Sequence, residues 1–526
     1  MGRSVARTVG CALRSLLGRI AATSIGALRG VALVNRSGGI MSDQYYEDRK
    51  RHMEALGAAG VEPYGARYVG VAALSDARSK GESLGIEPGQ TRDEAVIRIA
   101  GRINLRRVMG KLAFLTLRDS TGDLQVGVSK SKVGDAAWAM LENLDLGDIL
   151  GVDGAIGRTK TNELTVWATG LTLLCKALRT PPDKWHGLTD VDARYRQRYV
   201  DLFTNPEVMQ TFKARSRIIE AIRQFFHGRG FMEVETPMLQ AVYGGAAARP
   251  FTTHHNTLDL DLFLRISPEL YLKRLLVGGM ERVFEINRNF RNEGISTQHN
   301  PEFTMMECYQ AYGDLSDMMD IVEGMVSAGI EALGGGNTRK FRELDIDFTP
   351  PWPRKTYTEL LREHAGVDLK DVASVRTRAA ALGIQGVMDD AILANKLFEA
   401  TVEEKLIQPV FVTEYPSALC PLTRRKKDDP SLALRFEAYV AGMEIGNAYT
   451  ELNDPVVQRE TFSSQVKGEG DETMRVMDED FLAALEYGMP PAGGLGVGID
   501  RLVMMLTNSP SIRDVILFPL QRQKAD

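Results

Sequence analysis

The stretch FRNEGISTQHNPEFTMMECYQAY, residues 290–312, concentrates side chains able to do chemistry. Alternate residues of a strand share a face. As strands, FRNE would set Arg291 beside Glu293, and PEFTMMECY would set Phe303, Met305, Glu307 and Tyr309 in one row. The polar, Gly-led GISTQHNP between them predicts a surface loop joining two antiparallel strands. A guanidinium grips phosphate with two parallel bonds and stays charged, and a phenyl ring stacks under a planar base. Arg291 and Phe303 therefore point to a nucleotide. Glu307 and Tyr309 face a neighbouring pocket, where a carboxylate calls for a cation, because an unpartnered buried charge is too costly to keep. Glu269, two residues after Ser267 in SPELYLKRL, is a second candidate anionic wall. For any one of these strands, the competing reading is a solvated, charged sheet face.

The C-terminal third repeats the chemistry. RFEAYVAGMEIGNAYTELND, residues 435–454, spaces Glu437, Glu444 and Glu451 by sevens. On a helix that is a stripe, but Gly442 and Gly446 among β-branched and aromatic residues argue against a long helix. Two carboxylates beside a triphosphate suit Mg²⁺. GGLGVGIDRLVMMLTN, residues 493–508, is a glycine-rich turn, including Gly498, that enters an apolar helix with Arg501 at its start. A nucleotide fits against such glycines, with Arg501 reaching its phosphates.

Positioning these groups takes more than one domain, and 526 residues suffice for two or three. A formal net charge of −5 gives no global basic field, so any RNA contact must come from a local patch. Cys11, Cys175, Cys308 and Cys420 lie far apart and form no CxxC pair, which supports neither a disulfide framework nor a thiolate zinc site and suits a reducing cytoplasm. No run of 18 apolar residues predicts a membrane span. Residues 1–40 carry six arginines and no acidic residue, a composition that suits either a targeting peptide or an upstream extension ahead of Met41.

A helix and a Gly/Ser/Ala-rich connector are expected over 41–95. Residues 96–178 change to period two: VIRIAGRI, LAFLTLRD, LQVGVS, DILGVDGAIGRT and ELTVWATGLTLL predict five strands, with a small helix over 137–144. Gly101, Gly127, Gly151 and Gly154 are candidates for bends. Five strands in this length suit a small barrel of the oligonucleotide-binding (OB) type. A linker follows over 179–200, then a larger unit, 201–526, that opens with an amphipathic helix over 206–228. Its irregular mixture lacks GxxxxGK[ST], and no GxGxxG follows a strand, so an antiparallel sheet flanked by helices is expected. Residues 337–405 read as a helical insertion. The fold class is α+β.

The chain resembles a known family. FRNE (290–293) and GLGVGIDR (494–501) are similar to the second and third motifs of class II aminoacyl-tRNA synthetases, and GFMEVETPML (230–239), with Pro237, to the first, dimer-forming one. RISPELYLKRL, HNPEFTMMECYQAY and EIGNAYTELND resemble the lysyl-tRNA synthetases in particular. The resemblance runs from about 45 to 520. It implies a homodimer that makes lysyl-adenylate and pyrophosphate from ATP and lysine, then charges tRNA(Lys). It implies Arg291 on the α-phosphate and Arg501 on the γ-phosphate as the catalytic pair. Phe303 would lie under the adenine, with Glu293, His299, Asn300, Glu444 and Gly498 also at the ATP. It assigns Glu437 and Glu444 to Mg²⁺, and Gly245, Glu269, Glu307, Tyr309, Asn447, Tyr449 and Glu451 to the lysine pocket. In the barrel, Phe114, Gln125 and Glu163 match residues that read anticodon uridines. Gln298 departs from the pattern, since many relatives carry Arg there.

Aspartyl and asparaginyl synthetases share the layout, but an aspartate pocket needs a cationic wall, and this one is acidic. A paralogue that lysylates protein lacks the barrel. A barrel fused to an inactive synthetase-like domain would not need Arg291, Glu293, Glu444 and Arg501 together.

Overall fold

The computed structural model describes residues 39–182, 188–386, 389–466 and 477–523. Apart from its last two residues, the Arg-rich 1–40 segment lies outside them. The chain divides into two compact units, one up to Trp185 and one from His186.

The first unit contains α1 (Gly39–Ala58), α2 (Leu74–Ser83) and a closed barrel of β1 (Thr91–Met109), β2 (Leu112–Asp119), β3 (Gly122–Ser129), β4 (Ile149–Arg158) and β5 (Leu164–Cys175), with α3 (Lys130–Glu142) between β3 and β4. The barrel order is β1–β2–β3–β5–β4. Alternation explains it: Ala113, Leu115, Leu117, Leu124, Val126 and Val128 are fully buried, while the residues between them are mostly half-exposed. Three expectations need correction. The connector hides α2, whose buried stripe of Leu74, Ala77 and Gly81 is mostly too small to read as amphipathic. The helix expected over 137–144 instead begins at Lys130, with a break at Gly134 (φ 82°). Gly127 is not a bend: a Cβ there would meet the Trp167 ring at 2.5 Å, so the glycine lets Trp167 lie flat across β3.

The second unit is built on an eight-stranded sheet: β6 (Met232–Glu233), β7 (Arg282–Phe290), β8 (Glu302–Ala311), β9 (Arg354–Thr356), β10 (Val410–Thr413), β11 (Arg435–Val440), β12 (Met443–Thr450) and β13 (Ala492–Gly498). Its order is β9–β10–β11–β12–β13–β8–β7–β6. The six central strands pair antiparallel, but both edge pairs, β9/β10 and β7/β6, are parallel, so the sheet is mixed rather than wholly antiparallel. Helices α4 (Pro206–Gly228), α6 (Leu315–Leu333) and α10 (Ile499–Leu506) cover one face. Met306 and Cys308 of β8 point into that core, which leaves Phe303, Met305, Glu307 and Tyr309 on the other face. The short α5 (Glu269–Val277) brings Glu269 to that second face.

Two further expectations shift. The region 179–200 is not all linker: helices Val191–Arg196 and Arg198–Thr204 belong to the second unit. Arg198 is fully buried there, and its Nε and Nη2 donate to the carbonyls of Leu517 and Arg513 at 3.0 and 2.7 Å. A polar-looking stretch was hiding a buried arginine. The 337–405 insertion carries α7 (Tyr357–Ala365), α8 (Val372–Ala381) and α9 (Asp390–Thr401), but opens with the hairpin Thr338–Phe341/Leu344–Asp347 and with β9 of the main sheet.

Candidate active site

Two cavities of about 160 and 310 Å³ lie side by side on the open face of the sheet. They share Arg291, Met305, Asn447 and Gly496 as a common wall. Arg501 belongs to the smaller, with Glu293, Glu444 and Asp500, while Glu269, Glu307 and Arg435 belong to the larger.

In the smaller cavity Arg291 does not stand on a strand, contrary to expectation. β7 ends at Phe290, opposite Glu302. The Arg291 N–H still donates to the Pro301 carbonyl at 2.8 Å, but proline has no N–H to return, so the ladder stops and the chain turns at Glu293. The Arg291 side chain then lies over Phe303, its guanidinium carbon 5.1 Å from the ring centre. Its Nε is buried with no hydrogen-bond partner. Burial lowers the Arg291 pKa despite Glu293, Glu444 and Glu307 nearby. A desolvated cation with a spare donor fits an anion.

Arg501 enters from the start of α10. Its Nη1 donates to the Glu444 carbonyl at 2.6 Å, and its Nη2 lies 3.1 Å from His299 Nε2. Burial, then Arg501 and Arg291, lower the His299 pKa. The ring is therefore neutral, accepts from Arg501 at Nε2 and carries its hydrogen on Nδ1, 2.9 Å from Ser296 Oγ. Glu293, Asn300, Gln298, Gly498 and Phe303 also line this cavity. The Asn300 Oδ1 is buried and unpartnered.

The larger cavity collects Gly245, Glu269, Glu307, Tyr309, Asn447 and Tyr449. Ser267 Oγ donates to Glu307 Oε1 at 3.0 Å, and Tyr309 Oη to Glu307 Oε2 at 3.3 Å. Burial, then Glu269, push the Glu307 carboxyl up to about 8. Glu451 is brought close but does not line the cavity. Its Oε2 is ion-paired at 2.5 Å to Lys273, a lysine with no exposed surface. A Cβ on Gly494 would stand 2.0 Å from Glu451 Oε1 and 2.5 Å from the Tyr309 ring, so only glycine lets these two groups sit against β13.

Glu437 and Glu444 stand on the neighbouring strands β11 and β12, not on one helix. Glu444 lines the smaller cavity, and Glu437 lines neither. Glu437 Oε2 accepts from Tyr415 Oη and Tyr439 Oη, each at 2.7 Å, and its Oε1 pairs with Arg435. Burial, then Glu437, raise the Glu444 pKa. Glu444 therefore offers a hard oxygen donor to the smaller cavity, of the kind Mg²⁺ takes, whereas both oxygens of Glu437 are already engaged. Among the described residues, no group of three or more His, Cys, Asp or Glu could hold a metal.

In the barrel, Phe114 and Gln125 are half-buried on β2 and β3, and Glu163 is exposed just before β5. Gln125 Nε2 donates to Thr165 Oγ1 at 2.8 Å. Trp167 meets Phe114 edge-on, with ring centres 5.9 Å apart. Trp167, which the sequence reading missed, sets a second ring beside Phe114.

It also missed Lys273, Arg435 and Asp500. Arg435 lines the larger cavity with its Nε unpartnered. Buried Asp500 accepts from Arg215 Nη1 at 2.5 Å and from the Thr304 N–H at 2.7 Å, which pins α10 to α4 and β8. Only Lys273 left a trace, four residues after Glu269, the spacing of helix neighbours.

The second unit matches the family model for class II tRNA synthetases (D, K and N) over residues 190–522, and the barrel matches that for the OB-fold nucleic acid binding domain over 97–174. A lysine–tRNA ligase of Pelotomaculum thermopropionicum is 51% identical over 90% of this chain and 94% of the relative. One of Moorella thermoacetica is 51% identical over 91% and 98%, and one of Magnetococcus marinus 48% identical over 92% and 98%. With both domain models matched and half the residues shared with these enzymes along nearly their whole length, the chain belongs to the class II tRNA synthetases, in the lysine–tRNA ligase family.

Proposed function

We propose that this enzyme activates L-lysine with ATP and transfers the lysyl group to the 3′ end of tRNA(Lys). The observation that carries the reading is the shared wall: Arg291 borders both the cavity of Phe303 and Arg501 and the cavity of Glu269, Glu307 and Tyr309. A nucleotide in the first and an amino acid in the second would meet at its guanidinium.

A carboxylate oxygen of lysine attacks the α-phosphorus, the bond to the β-phosphate oxygen breaks, and pyrophosphate leaves. The attacking group is already an anion, so no general base is needed. Arg291 stabilises charge gathering on the α-phosphate, Arg501 holds the γ-phosphate, and Phe303 stacks on the adenine; together they supply positioning and electrostatic stabilisation. Glu293, His299 and Asn300 complete the nucleotide site. Glu437 and Glu444 are the groups that would hold Mg²⁺, which supplies counter-charge for the phosphates when bound. In the second step a ribose hydroxyl of the tRNA attacks the lysyl carbonyl and AMP leaves.

Glu269, Glu307 and Tyr309 receive the lysine side chain, with Glu451 behind them, while Gly245, Asn447 and Tyr449 frame it. Buried polar groups left unpaired reject the wrong substrate by about 10⁴–10⁵, whereas one missing methylene is worth only about 10–200-fold. Neutral amino acids should therefore be rejected well, and ornithine less well. Phe114, Gln125 and Glu163 read the anticodon; single-stranded bases stacked on aromatic rings suit that role.

The working form is a homodimer through the segment around Pro237, where Met232, Met238 and Leu239 expose large apolar surfaces. We place it in the cytoplasm; among the described residues no helix is long and apolar enough to cross a membrane. ATP–pyrophosphate exchange across a panel of amino acids tests the reading: exchange should depend on lysine, and exchange driven by aspartate or asparagine would overturn it. Sedimentation at micromolar concentration checks the dimer.

A further inference from the structure

We infer that Lys273 is a positioning residue of the amino-acid pocket: an internal ammonium that aims Glu269 and Glu451 and offsets the repulsion between them, so that the pocket is built for one further ammonium. The inference rests on the larger cavity being the lysine site.

Lys273 lies one turn after Glu269 on α5 and has no exposed side-chain surface. Its Nζ stands 2.6 Å from Glu269 Oε1 and 2.5 Å from Glu451 Oε2, and both carboxylates are buried. Each acid thus gives one oxygen to Lys273 and keeps the other. Charged and titratable neighbours come from three elements. Besides Glu269, these are Glu307 and Tyr309 on β8, and Tyr449 and Glu451 at the end of β12. The helix Glu479–Glu486, which packs against α5, contributes Phe481 and Leu482 to the shared core; Asp478 and Asp480 pair with Arg274 instead.

Charge balance decides what the arrangement does. Burial, with Glu269 alongside, favours the neutral forms of Glu307 and Glu451. Burial, and to a lesser degree Glu269, raise the Glu451 carboxyl, and Lys273 is the group that pulls it back down. Burial lowers the Lys273 pKa, but the two acids outweigh it and the net shift is upward, so the ammonium stays charged. A neutral acid offers a substrate ammonium only a weak hydrogen bond, whereas an ionised one offers a charge-assisted bond of roughly twice the strength. Lys273 therefore makes the pocket discriminate by charge without touching the nucleotide cavity.

The test is lysine-dependent ATP–pyrophosphate exchange with Lys273→Met and Lys273→Arg, using lysine and norleucine, an apolar amino acid of nearly the same length. The Met variant should lose at least about tenfold of the kcat/KM ratio of lysine over norleucine. Its KM for lysine should rise at neutral pH and fall again as pH is raised, while its KM for ATP stays put. The Arg variant, which keeps the charge, should retain most of the ratio. An unchanged ratio, a lower KM for lysine, or an equal, pH-independent rise in the KM values for lysine and ATP would overturn the inference. If the Met variant does not fold, Lys273→Met/Glu451→Gln removes both ends of the fully buried pair and leaves only Glu269, which also borders the cavity, without its ammonium. It should lose the ratio just as far, and wild-type discrimination in it would overturn the inference. Wild-type enzyme without lysine-dependent exchange would instead sink the reading of the pocket itself.

Discussion

The Arg291 guanidinium lies over Phe303 with its carbon 5.1 Å from the ring centre, and its buried Nε is left without a partner. One face of the cation is covered by an aromatic ring while a donor is held in reserve. That geometry favours an anion next to a stacked base.

Arg291→Ala should therefore lower lysine-dependent exchange by at least about 10²–10³, the cost of removing one preorganised donor to developing charge. The variant should melt close to wild type, because Arg291 lies beyond the end of β7 and accounts for no core packing. Exchange assays with a thermal melt check this; near-normal exchange would remove the phosphate role.

Glu307 makes the protein pH-sensitive. A carboxyl raised to about 8 from an ordinary 4.5 favours the folded state while protonated, and that contribution fades as pH rises through about 8. The empty protein should lose thermal stability from about pH 4.5 to about 8 and level off above that. Lysine reverses the preference, since its ammonium favours the ionised acid. Lysine affinity should climb through the same window, with proton release on binding, until the free amine titrates near about 10.4. Calorimetry in buffers of different ionisation enthalpy measures the proton; proton uptake would contradict the assignment.

Gly494→Ala should damage lysine activation while the protein stays folded. The added methyl would fall 2.0 Å from Glu451 Oε1 and 2.5 Å from the Tyr309 ring. We expect the KM for lysine to rise about tenfold or more, the scale of 1–3 kcal/mol for overpacking. The KM for ATP should hold, since Gly494 does not line the smaller cavity. Steady-state exchange at varied lysine and ATP separates the two.

Phe114→Ala should raise the KM for tRNA by about 5–150-fold, from 1–3 kcal/mol per stacked base, and spare exchange. Phe114 and the catalytic face belong to different compact units. Equal loss of both activities would contradict that division of labour.

Much of the chemistry was legible because strands display their pattern at period two. Phe303, Met305, Glu307 and Tyr309 are a row in the sequence and a row in the structure. The strand LAFLTLRD was legible for the same reason, and its bounds match β2 residue for residue. Lys273 and Asp500 were not legible. Each sits in a short helix directly beside a second charged residue, Arg274 or Arg501, and nothing local says which of the two meets a buried partner. The partners, Glu451 and Arg215, lie 178 and 285 residues away. α2 was missed because its buried stripe is mostly of small residues, and Arg198 because a buried arginine looks like a surface one until the carbonyls it caps are known.

By itself, then, the sequence determined which groups were available and which face each would share with its neighbours, because side-chain alternation and turn chemistry are local. Only the tertiary structure decided that Arg291 stands where two cavities meet, that Glu451 is held by Lys273 rather than facing the cavity, and that Glu437 is wrapped by two tyrosines and an arginine. Those are contacts between distant segments, set by how strands are ordered in the sheet. No local pattern encodes that order.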